Sequence, residues 1–324
     1  MQQNGEPMAA PDPLSKDFTK EVRLIRRRFL EQVEPLRPEL FRYCRSLAGN
    51  VFDAEDLVQE TLLKAFSKLS EMHFSVENPR AWLFRVASNL FIDHQRKHAP
   101  SAMPDHFDTP ARDNAELTPQ VREALAHLAS RLPAVERVAV LLKDVFDFSL
   151  EDIATLTNSS VGAVKAALHR GREKLARPLP AQPGVRHEPV ARPLLDAFCE
   201  AFNQRDFERL ANLFREDAVA DVVGMVYELG REQIKKGSLH HTLFDEAGEP
   251  QAEVREYQGE PLVVLWYNVE EQGARRRYVR DVLRFAGDER HLLLLRYFYF
   301  CPETLAEITG ALGLPLKDNG YRYS

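Results

Sequence analysis

DAEDLVQETLLKAF, residues 53–66, decides how this chain is read. Leu57, Val58, Thr61, Leu62, Ala65 and Phe66, with Leu69 beyond them, form one continuous apolar stripe on a helix of 3.6 residues per turn. The other face carries Asp56, Gln59, Glu60 and Lys64, and residues 53–60 hold four acids and no base. From periodicity alone such a face is an ordinary solvated one. Its acidity also suits a basic partner helix.

Outward from that helix the pattern repeats. After Pro79, which suits a first helical turn, Trp82, Leu83, Val86, Ala87, Leu90 and Phe91 form a second apolar stripe. Arg85, Asn89, Asp93 and Arg96 follow at spacings that line one exposed ridge, with Lys97 next to it. Trp82 sits on the apolar stripe and reads as core rather than as a stacking platform. Residues 80–98 hold four bases against one acid, a local net charge of +3. His94 and His98 read as solvent-exposed, with no ligand partner in sequence.

Composition sets the organisation. With 324 residues, 44% hydrophobic and 28% charged, the chain is long enough for two or three packed domains. No apolar run approaches a membrane span, and Met1 to Pro13 lack the basic start and apolar core of a secretory signal, so the expectation is a cytoplasmic protein without a membrane partner. Cys44, Cys199 and Cys301 stand far apart, which argues against a disulfide framework and a zinc ribbon. The net charge of −6 on its own discourages a nucleic-acid partner. Proline-rich, aliphatic-poor breaks divide the chain into a tail over 1–19, a helical unit over 20–97, a linker over 98–119, a second helical unit over 120–177, a linker over 178–192, a third unit over 193–315 and a tail over 316–324.

In the second unit Ser149 with Asp152 has the spacing of a capping box opening a short helix. Thr157, Asn158 and Ser159 break that helix. Another follows from about Ser160 with Val164, Leu168 and Leu175 inward and Lys165, His169 and Arg172 outward. Two short helices around such a turn form the pattern of a helix-turn-helix. Residues 159–177 carry five bases against one acid, a local +4. In the third unit residues 193–215 read as amphipathic helix, and residues 261–269, 276–285 and 292–300 as three strands joined in a meander, the mark of an α+β domain.

Taken together, residues 53–66, 79–97, 132–143 with 151–154, and 161–175 resemble a bacterial sigma-70 factor of the extracytoplasmic-function type, which keeps regions two and four joined by a linker. The resemblance implies that Asp56, Gln59 and Glu60 dock on the clamp of core RNA polymerase. It implies that Arg85, Asn89, Asp93, Arg96 and Lys97 meet the minus-ten element of promoter DNA, and that the loop over 70–78 captures a base turned out of the melted strand. At the minus-thirty-five element, helical geometry offers Lys165, His169 and Arg172 to bases and Arg170 and Lys174 to phosphates. The family often places a base where this chain has Ala167, which implies fewer or different contacts there.

The segment 194–219 resembles SnoaL-like members of the nuclear-transport-factor-two superfamily. The fold class expected is therefore multi-domain: two all-α domains followed by an α+β cone with a curved antiparallel sheet. Such cones often enclose an apolar pocket, which leaves a small-molecule ligand in this unit open, and some are enzymes using Asp and His. Asp221, His240 and His241 are the residues to cite for that, yet no spacing makes them a pair. The expected function is promoter recognition on polymerase, with the third unit regulating that activity, and with no catalytic step and no cofactor or metal. The rivals are a polymerase-independent helix-turn-helix regulator and an enzyme with a DNA-binding front end.

Overall fold

The computed structural model describes residues 16–69, 76–98, 132–175, 190–245, 249–271 and 273–317. Residues 99–119 of the linker expected over 98–119, most of the loop over 70–78, residues 120–131, and residues 178–189 of the linker expected over 178–192 lie outside the described residues.

Four helices build the first unit: α1 (Lys16–Val33), α2 (Arg37–Ala48), α3 (Val51–Leu69) and α4 (Pro79–His98). Gly49, at φ +86°, closes α2 by returning its N–H to the Arg45 carbonyl, a conformation that costs a glycine nothing. The Asn50 side chain then accepts the Asp53 N–H at 2.9 Å and starts α3. The stripes read from sequence meet in the core, where Leu57, Val58 and Leu62 pack with Leu83, Ala87, Leu90 and Phe91. Tyr43 stacks on Phe84 at 4.5 Å between ring centres, and its hydroxyl pairs with Ser88 at 2.7 Å. Trp82 packs half-buried against this core.

The second unit contains α5 (Ala134–Val140), which widens into a π turn over Leu141–Val145, then α6 (Leu150–Leu156) and α7 (Val161–Leu175). The capping box is formed: Ser149 Oγ accepts the Asp152 N–H at 3.0 Å, and Asp152 accepts the Ser149 N–H at 3.3 Å. Asn158, at φ +52°, makes the turn before α7. Gly171 lets α7 approach α5 closely, since a Cβ there would lie 2.8 Å from Val140 Cγ2.

This unit rests on the first. Phe146 sets its edge against Tyr43 and Phe84, Phe148 lies beside Phe84, and the Arg80 guanidinium sits 4.5 Å above Phe148 while it pairs with Glu39 at 2.6 Å. Arg137, almost fully buried, donates to the Leu47 and Leu132 carbonyls.

The third unit opens with α8 (Arg192–Asn203) and α9 (Phe207–Asn212). Strands β1 (Phe214–Val222) and β2 (Val226–Leu229) follow, then the short α10 (Arg231–Ile234). Strands β3 (Gln251–Tyr257), β4 (Glu260–Glu271), β5 (Ala274–Gly287) and β6 (Leu292–Tyr297) and helix α11 (Pro302–Leu312) complete it. The six strands form one sheet in the order β2-β1-β6-β5-β4-β3. The meander read from sequence is β4–β6. The strands β1 to β3 carry acids within their alternation, which hid them. The sheet also departs from the purely antiparallel expectation: β6 runs parallel to β1, beside which the chain returns only after the four intervening strands β2 to β5.

Alternation gives the sheet two apolar faces. The inner face, with Val263, Leu265, Tyr267, Leu283, Leu295 and Tyr297, is covered by α8 and α9 through Phe198, Phe202 and Leu210. The outer face, with Leu262, Val264, Trp266 and Val282, joins Phe298, Leu305 and Ile308 and continues into the core of the first unit. No helix among the described residues is long and apolar enough to cross a membrane.

Candidate functional site

The acidic face of α3 lies under the third unit. Asp56 is half-exposed, and both its carboxylate oxygens take hydrogen bonds from Arg296 of β6, the one from Nη1 at 3.1 Å. Arg296 Nε donates to Asp221 of β1 at 2.9 Å. Burial opposes the charge on Arg296, yet Asp56 and Asp221 together hold its pKa above the ordinary value. Burial also raises Asp221, and Arg296 only partly offsets that rise. Gly224, at φ +82° in the β1–β2 turn, approaches Gln59 so closely that a Cβ would stand 3.0 Å from Gln59 Oε1. Gln59 itself donates to Glu55 at 2.7 Å. Glu60 lies at the edge of this contact, 3.1 Å from His94.

A second set of contacts seals the same junction. Glu55 is fully buried and receives Arg37 at 2.6 Å and the Thr304 hydroxyl at 2.7 Å. Arg37 also binds Glu303, and Arg45 forks onto Glu307 at 2.8 and 3.0 Å. Phe52 fills the space between, its ring 5.3 Å from Phe298 and 4.3 Å below the Arg284 guanidinium. Helix α11 thus lies across α2 and α3 with charge pairs along its length. Sequence reading singled out none of Arg37, Arg296, Glu303 and Glu307. The one local signal was Arg296, a lone charge in the apolar run Leu292–Tyr297.

The α4 ridge is open. Arg85, Asp93, Arg96 and Lys97 are exposed and Asn89 is half-buried, with Arg96 3.9 Å from Asp93. On α7, Lys165 and His169 face solvent. Arg170 and Lys174 share Glu136 of α5 at 3.0 and 2.6 Å. Arg172 turns back to clasp the buried Asp144 at 3.1 and 2.5 Å, so it does not stand free beside Lys165 and His169. Ala167 is buried, so its side chain lies outside the exposed face of α7.

The residues cited for a catalytic cone do not meet. Asp221 points to the outer face of the sheet, opposite its inward neighbour Ala220, and is engaged by Arg296. His240 and His241 lie beside Asp245 at 3.5 and 3.4 Å, in the segment whose Leu239 and Leu243 join the inner core. That inner core is filled by Phe198, Phe202, Phe214, Tyr267 and Tyr297, all buried. Among the described residues no group of three or more His, Cys, Asp or Glu is placed to hold a metal ion.

Two family models match the chain: Sigma-70 region 2 over residues 32–100, and Sigma-70, region 4 over residues 122–175. The ECF RNA polymerase sigma factor EcfG of Rhodopseudomonas palustris (strain TIE-1) is 32% identical over 142 residues, which cover 43% of this chain and 78% of that protein. The ECF RNA polymerase sigma factor SigG of Mycobacterium tuberculosis (strain ATCC 25618 / H37Rv) is 30% identical over 223 residues, 59% of this chain. The chain spans 60% of the length of that relative. Among solved structures, the Mycobacterium tuberculosis extracytoplasmic function sigma factor SigJ is 18% identical, with a TM-score of 0.30, and the match covers 86% of this chain and 95% of that one.

Proposed function

The chain belongs to the ECF RNA polymerase sigma factors, and from that membership we propose that it binds core RNA polymerase in the cytoplasm and directs it to a bipartite promoter. Residues 20–97 serve as region two and residues 120–177 as region four. Asp56, Gln59 and Glu60 meet the polymerase. Arg85, Asn89, Asp93, Arg96 and Lys97 meet the minus-ten element. Lys165 and His169 read the minus-thirty-five element, and Arg170 and Lys174, each about half-exposed beside Glu136, reach phosphates. The protein itself catalyses no covalent step.

The third unit regulates this activity by covering the polymerase-binding face. The observation that carries the proposal is the hold of Arg296 on Asp56, with Gly224 packed on Gln59 beside it. A carboxylate held by a nearly buried arginine is not free to meet a basic partner helix. Polymerase and third unit therefore compete for one face of α3, and the inter-unit contacts set how much of the chain is competent at any moment.

Association of the full chain with purified core polymerase, followed by transcription from a promoter it recognises, tests the reading. Saturable association that weakens on Glu60→Ala supports it. The absence of saturable association, or tight sequence-specific DNA binding by the chain alone, overturns it.

A further inference from the structure

A cavity of about 680 Å³ lies where α1 and α3 face the outer side of the sheet. Its floor is a charged row. Asp221, Arg296 and Arg284 are register partners on the adjacent strands β1, β6 and β5 and share one face. Its rim is apolar and open to solvent: Leu63 and Tyr227 are each 69% exposed, with Val226 and Met225 beside them. The volume suits a small organic molecule, and a charged floor under an apolar rim suits an amphipathic one.

The two carboxylates on Arg296 are not equivalent. Asp221 takes the Nε edge and its side chain is 7% exposed, whereas Asp56 takes the terminal fork and its side chain is 50% exposed. Asp221 is fixed within the sheet. Asp56 arrives from another domain, on the cavity side. We propose that this cavity binds an amphipathic monocarboxylate, which replaces Asp56 on the terminal nitrogens of Arg296 and lays its apolar body against Leu63, Met225 and Tyr227.

The exchange suits the charges present. One carboxylate takes the place of another on the same guanidinium fork, so the electrostatic change is small and apolar burial on the rim drives binding. The remaining bases are engaged: Arg284 with Glu260 at 2.9 Å, and Arg26 with the Gly224 carbonyl. The acid Glu60 faces His94. Arg296 is therefore the lining base that a carboxylate holds from across the junction. Loss of the Asp56 contact weakens the hold of the third unit on α3, which makes the ligand an activator. The inference rests on the regulatory reading above for that consequence alone, since binding itself is measured without polymerase.

Titration calorimetry of the full chain with octanoate, with octanol as the uncharged control, tests it. The expected result is saturable octanoate binding, at least about tenfold weaker for octanol and about threefold or more tighter in Asp56→Asn, which no longer competes for the fork. Arg296→Gln loses binding by about tenfold or more. Asp56→Asn alters a half-exposed side chain, so it keeps the test decisive if Arg296→Gln does not fold. No octanoate binding to either wild type or Asp56→Asn, equal affinity for octanol, or affinity unmoved by Asp56→Asn overturns the proposal. Octanoate binding with no change in polymerase association would instead overturn the regulatory reading and leave the site standing.

Discussion

Arg296 holds Asp56 of α3 with the terminal nitrogens of its guanidinium and Asp221 of β1 with Nε, so one side chain ties the sheet to an α3 residue 240 positions away in sequence. The two bonds carry unequal weight. Removing Arg296 leaves Asp221 buried without its cation, and breaking such a pair costs on the order of 3–5 kcal/mol. Removing Asp56 deletes a half-exposed partner, where a pair contributes about 1 kcal/mol or less. Urea unfolding should therefore show Arg296→Ala lowering stability several-fold more than Asp56→Ala. Equal losses would mean that the Asp221 contact contributes little.

The bases of α7 separate into two groups by the same reasoning. Arg172 is bound to Asp144, a side chain 5% exposed, so Arg172→Ala should lower folding stability by about 3 kcal/mol. Lys165 faces solvent, and Lys165→Ala should leave folding unchanged while costing roughly 1–3 kcal/mol at the promoter and relaxing base preference. Thermal melts and holoenzyme binding to a panel of promoter variants distinguish the two. An Arg172→Ala protein that melts like wild type and loses base preference would restore Arg172 to the reading face.

These two cases also mark how far the sequence could be read. The helices α3 and α4, the Ser149–Asp152 cap and the break before α7 were legible, because each depends on neighbours within one or two turns. Periodicity puts Arg172 on the outward face and is silent about its bond to a buried acid such as Asp144, 28 positions away. The Asp56 to Arg296 contact was out of reach for the same reason. The acidity of α3 pointed to a basic partner, and nothing local said that the chain supplies one itself. Glu55 shows the limit most clearly: among four acids on the α3 segment it alone is fully buried, through Arg37 and Thr304.

The junction between the two helical units should respond to acid. Its bond to Arg80 holds Glu39 below the ordinary carboxylate range, against some burial. A folded-state pKa below the unfolded one means that the unfolded chain binds more protons in between, so the contribution is full above pH 4.5 and fades as pH falls through the lowered value. Glu39→Gln should remove this part of the acid limb in a plot of stability against pH. An acid limb identical in wild type and Glu39→Gln would show that the pair does not couple to folding.

If the third unit and polymerase compete for the Asp56 face of α3, loosening the third unit strengthens polymerase binding. Glu303 and Glu307 tie α11 to Arg37 and Arg45 and lie outside that face, so replacing both loosens the cover and spares the polymerase contacts. The most direct test is the Kd of the full chain for core RNA polymerase, wild type against Glu303→Ala/Glu307→Ala. Competition predicts binding about tenfold tighter in the double variant, equivalent to about 1.4 kcal/mol. Unchanged or weaker binding, with the variant still folded, would contradict it.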